Sequence, residues 1–274
     1  MFVNNRRNNF YLGAIAGVPI YLDYSLVFLL LMFLFDFSNY QEGFAGLLLG
    51  FMCACMLMIS IVAHEFGHIL AARVFGYNAQ SVTLSLLGGC ASFIRLPQKA
   101  WQEFVTAIAG PIVSFAMCGL FYGIFHAILR SVQTGGAVES SVELMAMTML
   151  FSYKMNFILG AFNLLPGFPM DGGRVFRSFM RFFVDRPRAT YFAMILGRVC
   201  AVLIAVNGFK AIFGGTGWGF IQVLIAWMIW REGAREYNLA VIEDADENKG
   251  SVWRAKVSPP PYGGGDSSVD VRKK

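Results

Sequence analysis

Long uninterrupted runs of apolar residues dominate this chain, and the polar positions are concentrated between them. From Gly46 to Ala63 the longest run contains no ionisable side chain other than Cys53 and Cys55. A run of about 18 or more such residues is typical of a membrane-spanning helix. The apolar runs predict helices over residues 25–37, 44–75, 101–129, 143–165, 190–213 and 218–230. We therefore expect a polytopic α-helical membrane protein with about six transmembrane helices.

Two shorter segments do not follow the helical pattern. Residues 11–24 alternate loosely in polarity and contain two glycines and a proline, which indicates extended backbone. Residues 81–96 form two β-prone runs around Gly88-Gly89, which predicts a β-hairpin. We expect a small membrane-associated β-hairpin or sheet. Because residues 81–96 follow the second predicted helix, this hairpin or sheet should lie close to the end of that helix.

The region after the fourth predicted span changes character twice. Residues 166–169 read Pro-Gly-Phe-Pro, and Asp171 follows this break directly. From Arg174 to Val184 arginines alternate with bulky apolar residues, as in an amphipathic interfacial helix. Residues 238–274 are polar, with an acidic cluster followed by prolines and glycines, which predicts a disordered cytoplasmic tail. Residues 1–237 are then the transmembrane domain.

Composition and charge agree with a membrane protein. The chain is 57% hydrophobic and 14% charged, with a mean hydropathy of +0.57. Its net charge of +5 does not indicate nucleic acid, because the basic residues are segregated into particular loops. Among the arginines and lysines, only Arg130 and Lys210 fall in the predicted outer loops. This asymmetry predicts a multi-pass protein of the cell membrane, in contact with the lipid bilayer and with both termini cytoplasmic. Its oligomeric state is left open.

The second predicted helix carries the sequence His64-Glu65-Phe66-Gly67-His68 inside its apolar run. Positions four apart lie on one face of a helix, so the two imidazoles converge with Glu65 beside them. This is the zinc-binding, water-activating HExxH arrangement. The alternative is a buried histidine pair without a metal. It is less favoured, because two imidazoles and a carboxylate in lipid require a polar purpose.

A catalytic zinc ion requires a third protein ligand and an open position. In the predicted topology His68 and Asp171 both lie in the inner half of the bilayer, whereas His126 lies near the outer end of its helix. Asp171 is therefore the best candidate for the third ligand. Its alternative role is to cap the helix that follows.

The motifs together resemble a known family. The His64–His68 helix, the Ala-Gly-Pro at residues 109–111 and the sequence FNLLPGFPMDGGR at residues 162–174 are similar to the site-2 protease family of intramembrane zinc metalloproteases. The resemblance covers about residues 12–233 and is to the branch without a PDZ domain. It implies one Zn²⁺ per chain, bound by His64, His68 and Asp171. It also implies Glu65 as the catalytic acid and base, and Asn163 as a group that binds the substrate carbonyl or its oxyanion.

Two positions depart from the family pattern. Relatives often have His where Asp23 stands and Asn where Ser114 stands. Neither position is an expected metal ligand. We therefore relate both departures to the handling of substrate.

The resemblance implies an enzyme, a zinc metalloendopeptidase that hydrolyses peptide bonds within transmembrane segments of single-pass or few-pass membrane proteins. A catalytically silent metal-binding protein is a second reading, but such a site has no need of Glu65. A metal or proton transporter is a third, and it predicts ionisable residues spread along several spans. The hairpin at 81–96 is either an edge for an unwound substrate or a re-entrant structural plug.

Overall fold

The computed structural model describes residues 9–26, 31, 32, 34, 37, 43–85, 88–93, 97, 99–133, 140–215 and 218–256. The strands are β1 (Asn9–Ile15), β2 (Val18–Asp23), β3 (Ala79–Ser85) and β4 (Gly88–Phe93). The helices are α1 (Phe44–Val74), α2 (Ala100–Gln133), α3 (Ser140–Asn163), α4 (Asp171–Met180), α5 (Arg186–Phe213) and α6 (Trp218–Lys256). Most of the predicted first span, residues 25–37, lies outside the described residues.

Four helices within the described residues, α1, α2, α3 and α5, are long and apolar enough to cross a membrane. The mean hydropathy of their most apolar windows ranges from 1.2 for α3 to 2.4 for α1. Large apolar side chains on these helices are more than half exposed, among them Phe51, Ile59, Leu120, Phe157 and Leu203. Such exposure suits a lipid environment, because apolar side chains on the outer surface of the protein then contact lipid and not water. The predicted class, a polytopic α-helical membrane protein, is confirmed.

Helix α6 begins where it was predicted but differs from the prediction in two other respects. Its apolar part, residues 218–230, is followed by Arg231, and α6 is not among the four candidate spans of the described residues. The helix then continues to Lys256, so residues 238–256 are helical although we predicted a disordered tail from 238. The physical reason is that residues 238–249 contain no glycine or proline and many good helix formers. Packing also contributes, because Ala240 is buried in this extension.

The strands form one mixed sheet in the order β1-β2-β3-β4. Strands β1 and β2 are antiparallel, as are β3 and β4, while β2 and β3 pair in parallel with Ile20 opposite Val82. The hairpin predicted at 81–96 is present as β3 and β4. However, Ser85 pairs with Gly88, so Gly88-Gly89 begin strand β4 and do not form the turn.

The sheet packs against the part of α1 that carries the histidines. One apolar cluster joins strands and helix: Val18, Ile20, Leu26, Ile61, Ile69, Val82 and Leu84. Ile61 and Ile69 stand on either side of the His64–His68 turn, so this cluster holds the sheet beside that turn. Arg73, in the last turn of α1, also donates to the carbonyl oxygen of Ala16 at 2.7 Å.

A second apolar cluster holds the segment between α3 and α4. Met170 packs with Ala201 of α5 and with Ala226 and Ile229 of α6. Helix α4 then starts at Asp171, three residues earlier than the amphipathic helix predicted from Arg174, and ends at Met180. The two clusters thus fix α1 and the start of α4, which are the elements that carry the predicted metal ligands.

Candidate metal centre

The structure brings His64 and His68 of α1 together with Asp171 at the start of α4. The Nε2 atoms of both histidines lie 3.1 Å from Oδ2 of Asp171. The two Nε2 atoms lie 3.2 Å from each other, and all three side chains are buried. These residues form the group of three potential metal ligands found among the described residues.

The three donor atoms fit a zinc ion. Ligand atoms about 2.0–2.1 Å from a tetrahedral zinc lie about 3.3–3.4 Å from one another. The observed separations of 3.1 and 3.2 Å are within a few tenths of an ångström of that value. Two imidazole nitrogens and a carboxylate oxygen are also a typical zinc donor set. The chemistry and the spacing of the donors therefore agree.

Helix α2 fixes both histidine rings from behind. Nδ1 of His68 donates to the carbonyl oxygen of Thr106 at 2.7 Å, so Nε2 is the nitrogen that carries the lone pair when the ring is neutral. Nδ1 of His64 lies 2.8 Å from Oγ of Ser114, which can accept in the same way. Such contacts orient metal-binding histidines and set their tautomer. Ser114, which we related to substrate handling, thus contacts His64 directly.

Gly110 allows α2 to approach the two imidazoles closely. A Cβ atom at this position would lie 2.8 Å from Nε2 of His64 and would overlap the ring of His68. Any side chain larger than hydrogen would therefore occupy the space in front of the donor atoms. The resemblance pointed to the Ala-Gly-Pro motif without a role for it, and the structure gives Gly110 this role.

Asp171 is the first residue of α4, and Met170 before it is the N-cap, with extended backbone and no capping side-chain bond. The carboxylate of Asp171 is directed at the histidines, and Asp171 does not occupy the N-cap position. Burial alone would raise the pKa of Asp171, but His68 and His64 hold it below its usual range. The group is then ionised, as a metal ligand must be.

Glu65 lies next to the cluster but outside it. Its Oε2 atom accepts a hydrogen bond from the backbone N–H of Ala91 at 3.0 Å. A Cβ atom on Gly89 would lie 2.7 Å from Oε1 of Glu65, so glycine is required for this approach. The outer edge of β4 therefore covers Glu65. The Gly88-Gly89 pair, predicted as a turn, contributes a close contact instead.

A cavity of about 450 Å³ opens onto these groups. The metal cluster, Glu65 and Asn163 line it, together with the edge residues of β4. Asn163 is the last residue of α3, and its Nδ2 atom donates to the carbonyl oxygen of Leu159 at 2.9 Å. An amide nitrogen carries two hydrogens, so Asn163 can make a further donation.

His126 lies away from this arrangement. Its ring packs against Tyr122 at 4.3 Å between centroids and against Phe125 at 5.5 Å. His126 is not a member of the metal group, which agrees with the topological argument that set it aside.

A cluster of buried charges lies along the same cavity. Arg177 of α4 donates through Nε to Glu103 of α2 at 2.8 Å and through Nη1 to Glu236 of α6 at 3.0 Å. Burial opposes its charge, but the two glutamates raise the pKa of Arg177 above its usual value. The sequence analysis missed this cluster. The sequence feature that could have predicted it is Glu103, because a carboxylate in a helix apolar enough to span a membrane requires a buried partner.

Known proteins resemble this chain in sequence and in fold. The sequence pattern described as Peptidase family M50 matches residues 52–206. The Mycobacterium tuberculosis protein Rip3, whose name assigns it to the zinc metalloproteases, is 35% identical over 234 residues. These residues are 82% of this chain and 58% of Rip3, so the chain spans little more than half of that relative. The zinc metalloprotease MJ0392 of Methanocaldococcus jannaschii is 26% identical over 236 residues, which are 85% of this chain and 62% of MJ0392.

A solved structure shares the fold. A site-2 protease from Methanocaldococcus jannaschii superimposes with a TM-score of 0.57 and 24% sequence identity, over 84% of this chain and 95% of that chain. At this identity the likeness concerns the fold alone. The sequence match covers more than half of the chain and includes His64, His68 and Asp171. The protein is therefore a member of Peptidase family M50.

Proposed function

We propose that this protein is an intramembrane zinc metalloendopeptidase that cuts transmembrane segments of other membrane proteins. One observation carries the proposal: three side chains suited to bind zinc lie beside Glu65, and α1, which carries Glu65 and the two histidines, is apolar enough to span a membrane. A site that only binds or transports a metal has no need of an additional carboxylate next to the donors. Peptide hydrolysis requires such a group as a base.

His64, His68 and Asp171 would hold the zinc ion, one per chain, through the three donor atoms that face one another. When bound, zinc polarises the scissile carbonyl and lowers the pKa of water towards neutrality. Glu65 takes a proton from the attacking water and later gives it to the leaving amine nitrogen. Since Glu65 is not among the donors, its carboxylate remains available for both transfers.

Asn163 is the proposed donor to the developing oxyanion. It lines the cavity with the metal group, and its amide can donate once more in addition to its bond to Leu159. A positioned donor of this kind contributes about 3 kcal/mol to the stabilisation of the transition state. Its competing role is structural, because the same amide also ties down the end of α3 before the chain turns towards Asp171.

The substrate class follows from where the cavity lies. A transmembrane helix hides its carbonyl groups in internal hydrogen bonds, so a substrate segment has to unwind before attack. Edge residues of β4, namely Gly89, Ala91 and Phe93, line the cavity beside the metal group. An unwound segment can add to such an edge as a further strand. A hairpin that is only a structural plug would cover Glu65 without binding substrate.

The proposed topology sets the depth of cleavage. With both termini in the cytoplasm, α1 runs inward, and His68 lies roughly 10 Å before its inner end. Cleavage is then expected in the inner half of the membrane. Residues that lower the cost of unwinding, such as Gly, favour a cut nearby, because Gly destabilises a helix by about 1 kcal/mol relative to Ala.

The test compares the membrane proteomes of cells that carry the wild type or Glu65→Gln. Single-pass or few-pass proteins are expected to accumulate in the variant, and mass spectrometry of the wild-type products should place the cut in the inner half of a transmembrane segment. Glu143→Gln is the matched control, since it removes the same charge from an exposed residue at the start of α3 that does not line the cavity. A cut in a soluble loop or in the outer half would overturn the proposal.

A further inference from the structure

The charge cluster around Arg177 joins three helices. Besides its bonds to Glu103 and Glu236, Arg177 shares Glu103 with Arg181, whose Nη1 atom donates to Oε2 at 2.9 Å. Two cations thus face two anions, and Arg177 itself is only 3% exposed. A buried charge is retained where its partners satisfy it, and here α2, α4 and α6 each contribute part of that satisfaction.

Both ends of this cluster lead to the metal group. Glu103 lies one turn before Thr106 on α2, and the carbonyl of Thr106 holds Nδ1 of His68. Arg177 lies on the second turn of α4, the short helix that begins with Asp171. A helix transmits the position of one turn to the next through its backbone hydrogen bonds. Fixing Arg177 against α2 therefore fixes Asp171 relative to the histidines.

A second contact connects Arg177 with the segment that precedes Asp171. The guanidinium carbon of Arg177 lies 4.9 Å from the centre of the Phe168 ring, and Phe168 is fully buried. Arg177 is therefore held on one side by Glu103 and contacts the approach to Asp171 on the other. Arginine suits this place better than lysine, because Nε and Nη2 of Arg177 both donate to Oε1 of Glu103 while Nη1 reaches Glu236, and the planar group also lies over an aromatic ring.

Helix α6 takes part in both the cavity and the cluster. Trp227 and Met228 line the cavity, and Glu236, two turns further along the same helix, binds Nη1 of Arg177. A displacement of α6 away from the cavity would draw Glu236 from Arg177. The position of α6 is thus connected to Asp171 through Arg177.

We propose that Arg177 is a positioning residue for Asp171, and that Glu236 makes the geometry of the third metal ligand depend on the position of α6. The inference rests on the proposed function in taking His64, His68 and Asp171 as zinc ligands. Groups that orient metal ligands typically change metal affinity by about 10–100-fold when they are removed.

The experiment measures zinc affinity of the purified full chain by competition with a chelator, and the visible absorption spectrum after exchange of zinc for Co²⁺. Arg177→Gln should lower zinc affinity by about 10-fold or more and change the cobalt spectrum, and Arg177→Lys should restore part of the loss. Glu236→Gln should act in the same direction with a smaller effect. Glu143→Gln, at an exposed position at the start of α3 that does not line the cavity, should match the wild type in both measurements.

Each result decides between this inference and its rivals. A folded Arg177→Gln with wild-type zinc affinity and an unchanged cobalt spectrum would overturn it, even if thermal stability fell. If Arg177→Gln does not fold, Glu236→Gln decides, because its side chain is partly exposed and its loss is better tolerated. Failure of the wild type itself to bind zinc would instead overturn the proposed function.

Discussion

The Nε2 atoms of His64 and His68 lie 3.1 Å from Oδ2 of Asp171. One turn of α1 aligns the two histidines, and the non-helical segment between α3 and α4 places the aspartate opposite them. Each ring is then held from behind by α2, through Ser114 and the carbonyl of Thr106. At the scale of the residue, the centre is therefore a set of donors supported by a second helix.

Asp171→Ala should remove most of the bound zinc, whereas Glu65→Gln should retain it and lose proteolysis. The reason is that Asp171 contributes one of the facing donor atoms, while Glu65 lies outside them. Metal content by elemental analysis and turnover of a purified substrate measure the two effects. Full zinc and full turnover in Asp171→Ala would show that another group is the third ligand.

Asn163→Ala should reduce kcat by roughly 10²-fold, as expected for loss of an oxyanion donor, with zinc content unchanged. Asn163→Gln keeps the amide on a longer side chain and serves as the control for its placement. If Asn163→Ala lowers thermal stability and leaves kcat of the folded fraction unaltered, the amide only ties down the end of α3.

The histidine pair and Glu65 could be predicted from the sequence, because helix periodicity is a local property. Asp171 could also be predicted, since the predicted topology places it in the same half of the membrane as His68. Thr106 could not, because it acts through a backbone carbonyl, which any residue would supply. Arg177 was equally hidden, since it resembles the other arginines of an amphipathic helix until Glu103 and Glu236 are placed around it.

At the scale of the element, spans and hairpin follow different rules. The apolar runs of α1, α2, α3 and α5 specify spans without reference to other parts of the chain. The parallel pairing of β2 with β3 joins segments on either side of α1, and it depends on burial of Ile20 and Val82 against that helix. Such a pairing has no local signal. We therefore predicted extended backbone at 11–24 but not the mixed sheet.

Ala91→Pro tests whether the edge of β4 binds substrate. The N–H of Ala91 donates to Glu65, and proline is tolerated where an edge N–H faces outward. Loss of this donor should lower kcat/KM for a transmembrane substrate by about 2- to 10-fold, because a hydrogen bond to a neutral carbonyl contributes about 0.5–1.5 kcal/mol. Zinc content should not change.

Ala91→Gly is the matched control, because it keeps the N–H and changes only the side chain. We expect it to retain most of the wild-type kcat/KM. An unchanged or increased kcat/KM in Ala91→Pro, with the sheet still folded, would identify the hairpin as a structural plug.

At the scale of the whole molecule, the centre is held between two packed regions. The sheet supports α1 from one side, and α5 and α6 support Met170 and the start of α4 from the other. The extension of α6 adds a contact between Arg186 and Glu243 at 2.7 Å. We propose the boundary at 237 and 238 as the division between the catalytic domain and a cytoplasmic tail, although the helix itself passes through it.

Truncation after Lys256 should leave turnover and thermal stability unchanged, because the described ligands all precede it. Truncation after Tyr237 removes the buried Ala240 and the partner of Arg186, and should lower the melting temperature by about 2–4 °C per kcal/mol lost. Since Glu243 is half exposed, its ion pair contributes little of this. Differential scanning calorimetry and turnover of a purified substrate measure both. Lost turnover in a folded Lys256 truncation would make the terminal residues a docking element.

Under the proposed function, the bond between Glu65 and Ala91 holds one oxygen of the catalytic carboxylate until a substrate arrives. The carboxylate occupies the same N–H that an added strand would need, so a substrate pairing there competes with Glu65 and releases it on arrival. Under that proposal, a segment that is still helical cannot make this exchange, so Oε2 of Glu65 stays bonded to Ala91. On this account, the exchange of one hydrogen bond both binds the substrate and frees Glu65. The protein would then select substrates by their backbone conformation before it selects them by their side chains.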